Sequence, residues 1–458
     1  YCNYCNPKIK IIRMKRIVIL GSGESGVGAA ILAQKQGFDV FVSDFGAIKP
    51  AYQKELEELN IPFESNQHTE ELILNAAEVI KSPGISDQVS IVRKLRDLGT
   101  PVISEIEFAG RYSNAKMICI TGSNGKSTTT MFTYHILQNA GLNVGLAGNI
   151  GKSFARQVAL NHFDYYVLEI SSFMLDNMYE FKADIAVLLN ITPDHLDRYD
   201  YKMSNYIKSK FRIVQNQTEE DHFIYCDDDE NIKEFMASKD FKMKKYPFSI
   251  EHEIKNGAYL TENKLMINLS NSDKFDITIQ DLAIQGKHNT YNSMASGITA
   301  KILDIRKESI RESMGNYKNI DHRLEFVANV SGITYINDSK ATNVNSVWYA
   351  LESIKTDIIL IMGGVDKGND YTMLKSLVRD KVKAIICLGK DNKALHDAFE
   401  EDVEVMVNTF SASEAVQIAY HMAKKGSTVL LSPACASFDL FKNYEDRGDQ
   451  FKAAVKEL

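Results

Sequence analysis

The sequence predicts an α/β protein of three domains, and three observations predict it. Short apolar, β-branched runs recur at 16–20, 40–43, 117–120, 165–168, 185–189, 358–361 and 384–388. Most are followed by glycine-bearing turns and then by helix-like segments. The strand-loop-helix pattern also restarts twice, after 111–115 and around Tyr317. Continuous apolar runs fit parallel strands buried on both faces. Their alternation with helices implies right-handed crossovers. The domains are therefore placed at 1–112, 113–316 and 317–458. The more polar, strand-like segment 221–284 reads as a β excursion inside the middle domain.

Composition narrows the function. The chain has 458 residues, 44% hydrophobic and 25% charged, with net charge −7. A nucleic-acid binder would need a basic face, so nucleic acid is not the expected partner. No run approaches the roughly 20 apolar residues of a membrane span. No apolar signal-peptide core stands near the start either, so a cytoplasmic protein without membrane insertion is expected. Cys119, Cys226, Cys387 and Cys435 are scattered, as in a reduced enzyme. Cys2 and Cys5 form a lone C-x-x-C, and residues 1–13 read as a disordered leader.

The first domain carries Gly21-Ser-Gly23-Glu-Ser25-Gly26 between a strand and a helix, with Asp44 ending the next strand. Glycines allow the tight turn and close backbone approach, and the helix N-terminus suits a pyrophosphate. An NAD-dependent dehydrogenase fits this turn, and so does a protein binding a UDP group. Ser82-Pro-Gly84-Ile-Ser86 is a second turn able to close over the same nucleotide.

The middle domain offers Thr121-Gly122-Ser123-Asn124-Gly125-Lys126-Ser127, again between strand and helix. Backbone N–H groups of such a loop cradle phosphates. The lysine supplies positive charge, and the serine hydroxyl binds magnesium. Position 120 is Ile, so only the G-x-x-G-K-S core of the full phosphate-loop spacing is present. Glu169 and the run Asn190-Ile-Thr-Pro-Asp194-His195 follow two further strands. Carboxyl ends of parallel strands are where such sheets bind ligands, so Glu169 and His195 are candidates for a metal-nucleotide site. Taken singly, Glu169 reads as well as a helix-capping acid and His195 as a loop histidine.

The order of motifs resembles the Mur ligase family. T-G-S-N-G-K-S, L-E-I-S-S-F at 168–173, D-H-L-D-R-Y at 194–199 and G-K-H-N-T-Y-N at 286–292 come first. D-H-R-L-E at 321–325 and N-D-S-K-A-T-N at 337–343 follow. S-P-A-C-A-S-F-D at 432–439 and F-K-N-Y-E-D-R-G at 441–448 look like the branch that adds D-glutamate. The resemblance covers the chain from about Lys15 onward. It implies a Rossmann-like first domain, a central phosphate-loop ATPase-like domain and a Rossmann-like third domain. It also implies a monomer that activates a UDP-linked muramoyl-alanine carboxylate with ATP and couples it to D-glutamate.

Residue roles follow from the same resemblance. Gly122 to Ser127 and Thr128 would hold ATP, with Lys126, His195, Lys210 and Lys340 catalytic. Asn289, Asn292, Arg323 and Asp338 would complete the ATP site, although asparagine at 289 and 292 would equally suit helix N-caps. Ser127, Glu169, His195 and Lys210 would hold magnesium, two ions being expected. Lys210 would do so as a carbamate; by sequence alone it is an exposed helix lysine. Ser25, Gly26, Asp44, Phe45, Gly84, Asn149 and His195 would bind the UDP precursor. Thr342, Lys367, Ser437, Phe438 and Tyr444 would grip D-glutamate. Three positions depart from the family pattern. Glu24 stands where relatives often carry an apolar residue, Phe45 where a small polar one is common, and Tyr444 where phenylalanine is. A folylpolyglutamate-type ligase shares the last two domains but not this first one.

Overall fold

The structure, a computed structural model, describes residues 15–270, 274–317, 321–366 and 368–458. It contains three sheets in succession, each with helices on its faces.

The first sheet has strands β1 (Arg16–Leu20), β2 (Asp39–Asp44), β3 (Phe63–Ser65), β4 (Glu78–Lys81) and β5 (Val102–Ile103). They are all parallel, in the order β3-β2-β1-β4-β5. The order reverses between β1 and β4, the place where open α/β sheets bind ligands. Both turns singled out above, 21–26 and 82–86, leave the sheet there. Gly26 is forced by packing, because a Cβ at this position would lie 1.9 Å from the Gly21 carbonyl oxygen.

The central sheet holds β6 (Lys116–Thr121), β7 (Val144–Gly148), β8 (Tyr165–Glu169), β9 (Ile185–Leu188) and β10 (His222–Cys226). It continues with β11 (Lys244–Ser249), β12 (Gly257–Thr261), β13 (Lys264–Asn268) and β14 (Phe275–Thr278). Its order is β14-β13-β12-β11-β10-β9-β6-β8-β7. The polar stretch from 221 is strand-rich and inside the middle domain, as expected, and it continues the central sheet. β10, β11 and β12 extend the parallel sheet, and only β13 and β14 turn antiparallel at its edge.

The third sheet contains β15 (Glu325–Val330), β16 (Ile333–Asn337), β17 (Ile358–Met362), β18 (Val382–Leu388), β19 (Met406–Thr409) and β20 (Thr428–Leu431). Its order is β15-β16-β20-β17-β18-β19, parallel except for β15. Every residue of β17 is buried, as its unbroken apolar sequence requires.

The first and middle sheets share one apolar core, whereas the third has its own. Helix Glu24–Lys35 packs on helix Phe154–Leu160 so closely that a Cβ at Gly28 would meet Ser153 Oγ at 1.8 Å. Arg156 on the second helix ion-pairs with Glu24, at 2.9 Å from Nε, and with Glu55. Beneath it, burial pushes the Glu105 carboxyl up to about 7 while its oxygen accepts the Ala155 N–H. The buried Glu107 carboxylate accepts the N–H groups of Tyr179, Glu180 and Phe181. Arg156→Ala should cost about 2 kcal/mol of stability, because it removes the guanidinium shared by two partly buried carboxylates. A urea midpoint unchanged from wild type would show that this clamp carries no stability.

Candidate active site

The loop 121–127 leaves the C-terminal end of β6, where the central sheet order reverses. Gly122 (φ +156°) and Gly125 (φ +82°) take backbone conformations suited to glycine. A Cβ at 125 would also lie 2.6 Å from Asn292 Oδ1. The loop is braced from the neighbouring strand end. Asn190 Oδ1 accepts the Asn124 N–H at 2.8 Å, and Asn190 Nδ2 donates to the Asn124 carbonyl. Lys126 opens helix Lys126–Asn139 and donates to the Gly122 and Ser123 carbonyls at 2.8 and 2.7 Å.

A cavity of about 300 Å³ lies over this loop, between the middle and third domains. From the middle domain it is walled by residues 123–128, Asn149, Glu169, Asp194, His195 and Lys210. Glu169 is buried, with Oε1 accepting from Asn149 Nδ2 at 2.8 Å. Its other oxygen, Oε2, is buried with no protein hydrogen bond. It caps no helix: the following helix, Ser172–Leu175, is capped by Ser171. His195 has a left-handed backbone (φ 52°) and lies edge-on to Phe173 at 5.0 Å. Its Nε2 is 3.6 Å from Asp194 Oδ1.

Lys210 overturns its reading as an exposed helix lysine. Its side chain is 1% exposed and donates to the Gly122 carbonyl at 2.8 Å and to Thr121 Oγ1 at 3.3 Å. The last turn of helix Met203–Phe211 is buried at Ser209, Lys210 and Phe211, which a nine-residue window of mixed polarity does not reveal.

The third domain closes the cavity with Arg323, Lys340, Thr342, Asn343, Ser346 and Tyr444. Lys340 Nζ stands 5.4 Å over the Tyr444 ring, a cation-π arrangement. Asn343 Nδ2 and Ser346 Oγ both donate to Asn124 Oδ1, joining the two domains at the phosphate loop. Asn345 adds a bond to Thr192. These contacts escape sequence reading because Asn343 also caps helix Val344–Ser353, a sufficient local role. Arg447 escapes it too. It is 1% exposed and donates to the Ser339, Gly363 and Cys435 carbonyls, pinning three loops of the third sheet.

Charge crowds this cavity. Burial pushes the Lys210 amine well below its ordinary value, and nearby Lys126 pushes the same way. Lys126 and Lys340 are also lowered, first by burial and then by Arg323, against the pull of Glu169. Asp338 lies behind Arg323, 3.8 Å from Nη1, and accepts from Ser432 Oγ at 2.9 Å. Burial raises its carboxyl to about 6.

Other expected residues lie off this wall. Gly122 sits beneath the loop, its carbonyl holding both lysines. Asn289 and Asn292 are not N-caps. They lie inside helix Lys287–Ile302, whose N-cap is Gly286, and Asn292 accepts from Thr129 behind the phosphate loop. Ser25, Gly26, Asp44, Phe45 and Gly84 gather at the switch point of the first sheet. There Asp44 Oδ2 accepts from both the N–H and hydroxyl of Ser22 at 2.6 Å. Phe45 is exposed beside His68. Arg198 spans the gap, donating to the Gly84 carbonyl. In the third domain Ser437 is buried and Phe438 exposed. Lys367, Cys2, Cys5 and the leader 1–13 fall outside the described residues.

A phosphate loop facing Arg323 and Lys340 of the third domain defines a nucleotide-dependent enzyme of the three-domain ligase type. Three family descriptions match in succession: "Mur ligase MurD-like, N-terminal domain" over 15–104, "Mur ligase middle domain" over 120–300 and "Mur ligase, glutamate ligase domain" over 322–435. The chain belongs to the Mur ligase family, whose members form amide bonds at the expense of ATP. A UDP-N-acetylmuramoylalanine–D-glutamate ligase of Bacteroides thetaiotaomicron is 58% identical, over 97% of this chain and 100% of its own. One from Porphyromonas gingivalis is 55% identical, over 96% and 98%. Among solved structures, a UDP-N-acetylmuramate-alanine ligase from Thermotoga maritima superposes with TM-score 0.61 at 15% identity, covering 97% and 99%. These distant structures share the fold.

The Asp338 carboxyl gives this site a pH signature. The folded group holds its proton up to about 6, the unfolded group to about 3.8. Between those values the folded chain binds more protons, so this group's contribution to stability falls as pH rises. Asp338→Asn should flatten the stability profile between pH 4 and 6 in urea unfolding. An unaltered slope in that window would rule out the buried, protonated carboxyl.

Proposed function

We propose that this chain couples D-glutamate to UDP-N-acetylmuramoyl-L-alanine, with ATP converted to ADP and phosphate, in peptidoglycan precursor synthesis. The observation that carries this is the single cavity in which the loop 121–127 meets Arg323, Lys340 and Tyr444. Near-complete similarity to relatives named for this reaction supports the choice of substrates. We assign the UDP precursor to residues 1–112, ATP to 113–316 and D-glutamate to 317–458. We expect the protein to act as a cytoplasmic monomer; no described helix is long and apolar enough to cross a membrane.

The chemistry suits these residues. A carboxylate is a poor acyl donor until it carries a good leaving group. The precursor carboxylate attacks the ATP γ-phosphorus, the bond to ADP breaks, and an acyl phosphate forms. The D-glutamate amine then attacks the acyl carbon. The tetrahedral intermediate expels phosphate, and the amine nitrogen releases a proton. Lys126, Arg323 and Lys340 offset charge on the transferring phosphoryl group and the oxyanion, and the enclosing walls fix the alignment. Asn149 and His195 guide the precursor from the first-domain turns toward the loop. Thr342, Ser437, Phe438, Tyr444 and Lys367 receive the amino acid.

The residues also fit magnesium. Glu169 Oε2 is buried without a protein partner, and Ser127 and His195 share its wall. Bound there, magnesium would neutralise phosphate charge. Among the described residues no cluster of three His, Cys, Asp or Glu side chains could hold a metal alone. A carbamate on Lys210 would supply further anionic oxygens. CO2 adds only to a neutral amine, and burial favours that form of Lys210.

The test is phosphate release from magnesium-ATP with the precursor and D-glutamate, L-glutamate, D-alanine or L-lysine in turn. Release should require both the precursor and D-glutamate. Release with another amino acid would move the enzyme to a different ligation, and NAD binding without release would favour a dehydrogenase. Lys126→Ala should lower kcat/KM by about 100-fold or more, as losing a phosphate-facing cation does. Wild-type turnover in this variant would refute the ATP site.

A further inference from the structure

We propose that Asp176 is a positioning residue for the magnesium-nucleotide site, acting through Tyr199 and Ser209. The proposal rests on the magnesium-ATP reading above. Asp176 closes the short helix Ser172–Leu175 that follows β8. One carboxylate oxygen accepts from Ser209 Oγ at 2.6 Å, the other from Tyr199 OH at 2.9 Å. The two hydroxyls lie 3.2 Å apart. Tyr199 and Ser209 each adjoin a site residue's segment, and Asp176 follows β8 across one short helix. β8 ends at Glu169. The turn Leu196–Tyr199 starts from His195. Ser209 directly precedes Lys210. One carboxylate thus ties together the segments carrying Glu169, His195 and Lys210.

The geometry favours positioning over contact. Asp176 does not line the nucleotide cavity. It faces a second cavity of about 430 Å³ between the first and middle domains, on the other side of Phe173. Phe173 contacts the His195 ring edge-on and stacks with Tyr199 at 6.4 Å, so the aromatic layer joins both sides. Local charges do not account for the carboxylate's place. Burial and Asp87 work against its charge, Arg212 opposes them only weakly, and the two hydroxyl donors stabilise it. His195 also sits in a left-handed conformation that an unsupported turn would abandon. A carboxylate with two firm acceptor oxygens holds both hydroxyl-bearing elements at fixed spacing.

The test compares wild type with Asp176→Ala, Asp176→Asn and the Tyr199→Phe/Ser209→Ala pair. Asp176→Ala should raise the magnesium concentration for half-maximal phosphate release by about tenfold, as loss of outer-shell support does at metal sites. Calorimetric affinity for magnesium-ADP, read without turnover, should fall in parallel, while KM for D-glutamate stays at its wild-type value. Asp176→Asn retains one acceptor and should recover part of the loss. The Tyr199→Phe/Ser209→Ala pair should match Asp176→Ala; it carries the same test if Asp176→Ala does not fold. Wild-type magnesium response and magnesium-ADP affinity in that pair overturn the proposal. Equal losses in D-glutamate KM would mean general damage and overturn it too. A wild-type chain that binds no magnesium-ADP would instead sink the ATP reading itself.

Discussion

The rest of the site depends on an excess of enclosed positive charge. Lys126, Lys210, Arg323 and Lys340 line one cavity against the carboxylates Glu169 and Asp194. Away from water, like charges repel strongly and unpaired ones are costly. Burial therefore drives the three lysines toward their neutral forms. Polyphosphate relieves that cost, because an anion entering the cavity stabilises the charged state of every cation around it. Carbamylation of Lys210 would act in the same direction, turning a disfavoured cation into an anion. Entry of a polyanion and a carbamate on Lys210 would each answer the same electrostatic constraint.

The three sheets meet that constraint with the same device. Parallel strands gather their C-terminal turns on one edge, and the first and central sheets each reverse their strand order at the point of use. In the central sheet this puts the phosphate loop between the ends of β8 and β9, beside Glu169 and Asn190. The two domain seams differ in kind. The first and middle domains share an apolar core, reinforced by Arg156 and by the three N–H groups on Glu107. The middle and third domains meet at the phosphate loop through hydrogen bonds from Asn343, Asn345 and Ser346. A polar seam of this kind parts at lower cost than a shared core.

The α/β architecture and the expected strands were legible because buried parallel strands announce themselves as unbroken apolar runs. β1, β2, β6, β8, β9, β17 and β18 all lie where those runs stand. The phosphate loop was legible because its glycines and lysine are local requirements of one turn. What stayed hidden depends on distance along the chain. Asn124 and Ser346 are 222 positions apart, and Lys210 reaches Gly122 across 88. Local rules also misled where a residue has two partners. Asparagine at 289 and 292 invited a cap, but Gly286 takes that place; Asn292 braces the phosphate loop from behind, and Asn289 in turn holds Asn292. The edge strands β13 and β14 alternate in burial, so their polarity marked a half-exposed sheet edge.

The acid at position 24 shows how the first domain's turn is tied to the rest. A carboxylate in the first turn of a helix that should meet a pyrophosphate would repel it if left free. Here Glu24 is turned away into the domain seam, where Arg156 and the Ser153 N–H take up its charge. The repulsion is removed by the contact that fixes helix Glu24–Lys35 against helix Phe154–Leu160. The helix whose N-terminus faces the first sheet's ligand crevice is therefore also the helix that sets the first sheet's orientation to the phosphate loop. The distance from that crevice to the phosphate loop is therefore set by this one pairing of helices.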